Sequence, residues 1–375
     1  MAVSTGKLRR RIRLNAVLVG VSIVTALLAG LPIAAAILDS ALGNGPRTAT
    51  AFASAPGGHY AVYTNAGVDA DEIVVAPSEN PSDAMVVATI ERLPGYTSRG
   101  TVSPDGKKLA LVTVDSGTPS QPVASLQVLN LETGELTRAA SEIDHLQTPL
   151  WTADSKGVLV TRGGDNAPGA VTVYRADSAG DGESLVRRHE AVLGVYPVAF
   201  DPEGRLVTVV IDGEGSHVFR DGTQVRSISP YITRDWDLSP DGTALAFVET
   251  NLADGTRYLP KVAGLDAGSH AMAQSVASGV QALGAAWAPG DSQGPAFGYE
   301  PSAPAGASGG VLAQTLGEDG FDVPLAYSND GSALAVQHWT GSEFSRPGQA
   351  SIEIVTGDGR AALPDATRFY GWAAR

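Results

Sequence analysis

One short phrase recurs along this chain, each time after an apolar or aromatic residue. Three copies are clear: Val102-Ser103-Pro104-Asp105-Gly106, Leu238-Ser239-Pro240-Asp241-Gly242 and Tyr327-Ser328-Asn329-Asp330-Gly331. Three are degraded: Trp151-Thr152-Ala153-Asp154, Phe200-Asp201-Pro202-Glu203-Gly204 and Trp287-Ala288-Pro289-Gly290-Asp291. The leading residues are separated by 49, 49, 38, 49 and 40 positions. A period of this size signals a repeat architecture. In the Ser-Pro-Asp-Gly form Pro presets the second position of a tight turn, and Gly supplies positive φ at its exit.

Strand patterns follow each turn. Lys108 to Thr113 and Ala244 to Val248 are alternating or apolar runs. A polar loop and a second run, Ser125 to Leu131, come next, then the turn Glu132-Thr133-Gly134 and a weaker run. With the strand that carries the leading residue, each repeat supplies four short antiparallel strands, here lettered A to D. Four-stranded sheets repeated at this spacing describe propeller blades.

These turns, set between an aromatic residue and a Leu-Ala-Phe-like strand, give residues 52–375 their likeness to a known family. The segment resembles the WD40-like, or TolB-like (PD40-type), β-propeller repeat proteins. The resemblance implies a fold and is silent on activity. The copies at Ala153, Glu203 and Gly290 depart from the pattern.

Trp372 lies 45 residues after Tyr327, where another leading aromatic is due. At the other end, Ser54-Ala55-Pro56-Gly57-Gly58 resembles a turn lacking its A strand, with His59 to Tyr63 behind it. The spacing predicts that the Trp372 strand joins the three N-terminal strands and closes the ring. The expected fold class is all-β: a seven-bladed β-propeller of four-stranded blades, preceded by one transmembrane helix.

The N-terminus has a different character. Lys7, Arg9, Arg10, Arg11 and Arg13 form a basic cluster, and Ala16 to Leu38 runs for 23 residues without a charge. As a helix that run would be about 35 Å long, enough to cross a hydrocarbon core of about 30 Å. The expected organisation is a cytoplasmic basic tail over 1–14, a signal-anchor over 15–38, a tether over 39–51 and the propeller over 52–375. The basic flank places the propeller outside the cytoplasm. Pro32 and Ala34-Ala35-Ala36 also suit a cleavable signal peptide, which would release the domain instead.

Charge narrows the partners. The chain has 26 basic and 40 acidic residues; setting aside the five of the tail leaves 21 against 40, or −19. A domain that acidic is repelled by nucleic acid. There is no cysteine, so disulfides and thiolate metal sites are excluded.

Catalytic motifs are weak. Gly290 to Gly294 and Gly306 to Gly310 match Gly-x-Ser-x-Gly, but one is a degraded repeat turn and the other a Pro/Ala/Gly/Ser-rich loop. The six His residues form no His-x-x-x-His pair. No catalytic residue, metal site or cofactor is expected. In a four-stranded meander the A–B and C–D turns share one face, and the B–C and D–A loops share the other. The B–C loops vary in length and carry acids, and variable loops on a rigid scaffold are where binding concentrates. The candidate binding residues are Asp115, Asp212, Glu249, Asp254, Glu300, Trp339 and Glu343. The expected role is a membrane-tethered binding or scaffolding module for a cell-envelope protein or wall component. A metal-dependent lactonase or lyase, with carboxylates near the central channel, stays open beside it.

Overall fold

A computed structural model describes residues 52–375, apart from 119, 164–168, 253–256, 267–273, 276–279, 291–293, 302–311, 313–315 and 318–319. The expected basic tail, transmembrane segment and tether lie outside the described residues. Among the described residues, no helix is long and apolar enough to cross a membrane.

The described chain is a succession of antiparallel sheets. β1 (His59–Ala66), β2 (Ala70–Pro77) and β3 (Met85–Glu91) open it. The second sheet is β4 (Arg99–Val102), β5 (Lys108–Thr118), β6 (Gln121–Asn130) and β7 (Leu136–Ile143). The third is β8 (Leu150–Trp151), β9 (Gly157–Gly163), β10 (Val171–Asp177) and β11 (Glu183–His189). The fourth is β12 (Val192–Phe200), β13 (Leu206–Asp212), β14 (Ser216–Arg220) and β15 (Thr223–Ser229). The fifth is β16 (Ile232–Leu238), β17 (Ala244–Asn251), β18 (Arg257–Gly264) and β19 (Gln274–Ser275). β20 (Ala282–Ala286) and β21 (Ala296–Tyr299) form a two-stranded sheet. β22 (Phe321–Tyr327), β23 (Ala333–Trp339), β24 (Ala350–Thr356) and β25 (Gly359–Ala362) form the next. Finally β26 (Arg368–Ala374) returns to the first sheet, giving the order β26-β1-β2-β3.

The expectation of seven four-stranded blades is corrected here. Six sheets have four strands, and the Trp287 repeat contributes only a pair among the described residues. That repeat has a degraded turn. After Tyr299 its sequence is dominated by Pro, Ala, Gly and Ser, a composition poor in strand formers. Neighbouring sheets hold the pair in place. The carboxylates of Asp235 and Asp237 on β16 accept the backbone N–H groups of Gly284 (3.0 Å) and Trp287 (2.6 Å). At Gly298 on β21 a Cβ would fall 1.8 Å from the Asp322 carbonyl oxygen. Only glycine allows so close an approach to β22.

The repeat phrase has one local chemistry. In the clear copies the Ser103, Ser239 and Ser328 hydroxyls donate to Asp105, Asp241 and Asp330 at 2.5, 2.6 and 2.8 Å. Each hydroxyl oxygen also accepts the backbone N–H five residues on, at 2.9 Å. The degraded Trp151 copy preserves this with Thr152 and Asp154, and Ser155 takes positive φ where Gly stands elsewhere. These bonds favour the ionised carboxylate. The Thr152 hydroxyl and Lys156 N–H hold Asp154 below the usual range, as the Ser239 hydroxyl and Thr243 N–H hold Asp241.

The A strands β26, β4, β8, β12, β16, β20 and β22 touch in succession and form the inner ring. The recurring tryptophans tie that ring together. Trp151 Nε1 donates to the Thr101 carbonyl at 2.9 Å, Trp287 Nε1 to that of Asp237 at 3.1 Å, and Trp372 Nε1 to that of Ala326 at 3.1 Å. Each acceptor immediately precedes the leading residue of the previous repeat. β26 pairs with β1 with Trp372 opposite Ala61, as the repeat spacing predicts. Ala61, Tyr63 and Trp372 then pack with Ala333, Ala335, Ile352 and Ile354 of the preceding blade.

Two outcomes follow from this packing. Trp372→Ala in the full chain should lower unfolding stability by about 3–5 kcal/mol, the typical cost of truncating a buried Trp, read by denaturant titration. Unchanged stability would contradict closure through this indole. Burial pushes the Asp237 carboxyl up to about 7, against the opposing Trp287 and Leu238 N–H groups. In the unfolded chain this group ionises near 4, so between about pH 4 and 7 the native state holds a proton that the unfolded state has lost. Its contribution therefore weakens as pH rises through that window. Asp237→Asn should gain stability relative to the parent between pH 5 and pH 8, by about 3 kcal/mol or less. A difference independent of pH would show that the group is not displaced.

Candidate functional site

The B–C and D–A connections share one face, called here the loop face. Several of its predicted acids have partners among the described residues. Asp115, at the outer part of β5, accepts from Ser125 Oγ (2.7 Å) and Arg138 Nη2 (2.5 Å). Asp212 caps the β13–β14 turn through the Glu214 and Gly215 N–H groups and meets His217 Nε2 at 3.2 Å. Glu249 is 2% exposed, accepting from Ser229 Oγ (2.5 Å) and Lys261 Nζ (2.8 Å). Glu343 is held by Arg346 at 2.6 Å and Ser345 at 2.9 Å, and the Arg346 bond keeps its carboxyl below the usual range. Glu300 meets the Gln281 amide at 3.4 and 3.5 Å. Asp254 lies outside the described residues.

Trp339 is half-buried and stacks on Phe321, with centroids 6.2 Å apart and 15° between planes. Phe344 packs edge-on against Phe321 at 4.9 Å and reaches Tyr258 of β18 at 6.4 Å. The β23–β24 loop thus joins the β22 blade to the β16 blade, with the two-stranded sheet between them in sequence. Trp339, the predicted aromatic anchor, thus takes part in an aromatic cluster with Phe321 and Phe344.

One constellation has the residue types of a hydrolytic relay. His217 Nδ1 meets Ser227 Oγ at 2.9 Å and Nε2 meets Asp212. However, Asp212 is committed to its turn, and the Gln224 amide donates to Ser227 Oγ at 3.2 Å. Ser227 lies on the outer strand β15. These bonds join β13, β14 and β15 within one blade. A second buried network joins Asp322 to His338 (2.9 Å) and Arg360 (2.7 and 3.0 Å), with Glu353 also on Arg360. Among the described residues no three His, Asp or Glu side chains form a metal-holding group. The two Gly-x-Ser-x-Gly stretches fall wholly or in part outside the described residues.

The channel mouth holds residues that a scan of the loops misses. Arg99 and Arg368 are the first residues of the adjacent inner strands β4 and β26, at their loop-face ends. Arg234, near the start of β16, is matched by Asp235 at 3.0 Å. Among the described residues Arg99 has no such partner: burial and the Arg368 charge push it down to about 10, against Asp144 and Tyr370. The repeat carries a signal for these residues, since an Arg stands three or four positions before the leading residues Val102, Leu238 and Trp372. Large apolar side chains are also exposed in connections of the same face. Val68, in the β1–β2 loop, is 81% exposed; Leu146, between β7 and β8, is 52%; Tyr231, between β15 and β16, is 37%.

No protein-family model matches this chain, and no curated protein matches it either. Solved structures do. TolB from Acinetobacter baumannii superposes with a TM-score of 0.50 at 14% identity, over 84% of this chain and 66% of that one. The β-propeller domain of the trilobed protease from Pyrococcus furiosus gives 0.50 at 13%, over 82% of this chain and 94% of that domain. A prolyl endopeptidase structure gives 0.52 at 12%, over 86% of this chain and 49% of that one. The chain thus spans about two thirds of the TolB structure and half of the endopeptidase. At these identities the likeness shows the fold: this chain is a β-propeller with TolB-like repeats.

Proposed function

We propose that this propeller is a non-catalytic binding or scaffolding module, held outside the cytoplasm by its N-terminal segment, for a cell-envelope protein or wall component. The observation that carries this reading is the exposure of Val68, Leu146 and Tyr231 in connections of the loop face. Large apolar side chains exposed on one face suit a protein surface. The acids of inner strand β16, Asp235 and Asp237, accept backbone N–H groups of β20 rather than forming an open ligand set. The engaged loop acids give solubility and hold the loops in shape. A TolB-like fold is compatible with a protein partner.

A photocrosslinker placed at Leu146 of the full chain in cells should capture a discrete partner, and Val68→Ser with Tyr231→Ser should abolish that product. The same probe at Leu136, 43% exposed at a C–D turn on the opposite face, should not capture it. Equal capture from Leu136 would remove the case for the loop face. For the tether, the mature protein should begin near Met1 and fractionate with membranes, because the uncharged run 16–38 is long enough to span. A mature terminus near Ile37 would establish cleavage and release.

A further inference from the structure

We propose that the mouth of the channel between β26 and β4 is a carboxylate-binding site, in which Arg99 and Arg368 grip the oxygens of an incoming monoanion. It deepens the binding reading above by naming the group recognised on the loop face.

The two guanidinium groups belong to adjacent inner strands, each at its first residue. Among the described residues, no carboxylate lies within ion-pair distance of either. Arg368 Nη2 reaches only the Thr97 hydroxyl, at 3.4 Å. Asp144 is the acid that faces Arg99, and its Oδ1 already accepts the Leu146 N–H at 2.9 Å. The local balance is therefore two positive charges against one negative, inside a domain whose overall balance is strongly acidic. Like charges held together in a half-buried place cost free energy unless an anion joins them. A single carboxylate restores neutrality, and its two oxygens match the planar guanidinium fork.

The site is built, not a chance of flexible side chains. Immediately before Arg99, Ser98 donates its hydroxyl (2.5 Å) and its N–H (3.2 Å) to Asp71, which is 1% exposed. Arg92 Nε donates to the other oxygen of Asp71 at 2.8 Å and fixes the Gly67 carbonyl through Nη2. Ser98 Oγ also meets the Tyr370 hydroxyl at 2.5 Å, two residues beyond Arg368. This buried network locks the entries of both strands together. The outer wall is the edge-on pair Tyr96 and His145, at 5.7 Å. Burial pushes the His145 imidazole down, opposed by Asp144 and aided by the Arg99 charge.

The test is isothermal titration of the full chain in a non-ionic detergent with sodium acetate at low ionic strength, with chloride as control. Saturable acetate binding is expected. Arg99→Gln and Arg368→Gln should each weaken it roughly tenfold or more, the loss of a charge-assisted hydrogen bond. Arg188→Gln, on the exposed outer strand β11, should leave it unchanged. Without acetate, Arg99→Gln should melt no lower than the parent, because it removes a like-charge repulsion; a clear drop would assign Arg99 a structural role and overturn the proposal. Absence of saturable binding, or equal weakening by Arg188→Gln, would also overturn it. The source of the carboxylate is read from the Leu146 crosslink. If Arg99→Gln abolishes the crosslink, the carboxylate belongs to the partner protein. If the crosslink persists while acetate affinity falls, the ligand is a small free carboxylate. Failure of acetate binding with the crosslink intact would sink this site and leave the binding reading standing.

Discussion

The structure depends on the bond that each leading tryptophan makes to the blade before it. Trp151, Trp287 and Trp372 each aim an indole N–H at a carbonyl one residue ahead of the preceding repeat's leading position. A propeller has no core common to all its blades; stability comes from repeated interfaces. An indole bonded across such an interface fixes the register between adjacent inner strands while burying a large apolar surface. The last of these bonds matters most, because β26 comes from the C-terminus and completes the sheet begun by β1. Turn glycine and closing strand constrain each other there: Gly106 has φ +71°, and a Cβ on it would lie 2.5 Å from the Ala374 nitrogen.

Much of this was legible in the sequence. The spacing of the leading residues located the inner strands, and the lone Trp372 strand implied closure. The turn chemistry survived even in the Trp151 copy, because Thr152 and Asp154 replace Ser and Asp in kind. The Trp287 repeat misled: counting leading residues counts repeats, but it does not show how many strands each repeat can build. The partners of the loop acids were not legible. In an antiparallel meander a side chain's partners come from other strands of the sheet, so Glu249 finds Lys261 and Asp115 finds Arg138, separations of 12 and 23 residues. Loop position shows exposure of the chain, not whether a charge is already matched.

The two faces of the ring differ in what fixes them. Turn-face conformation is dictated by the repeated Ser-x-Asp hydrogen bonds, which leave little room for variation. On the loop face the connections are free to differ, and that face carries both the exposed apolar residues and Arg99 and Arg368. Arg99 and Arg368 stand out because, among the described residues, neither has a carboxylate within ion-pair distance. Their strands are held by the Asp71, Arg92, Ser98 and Tyr370 network, so ring closure and the shape of the mouth rest on the same residues.

The most direct test of this account is native-state hydrogen exchange of the full chain through a denaturant series. The account predicts that the amides of β26 and β1 open in one cooperative unit with β4, because closure and the channel mouth share their supports. Opening of β26 at distinctly lower denaturant, with β1 and β4 still protected, would contradict it.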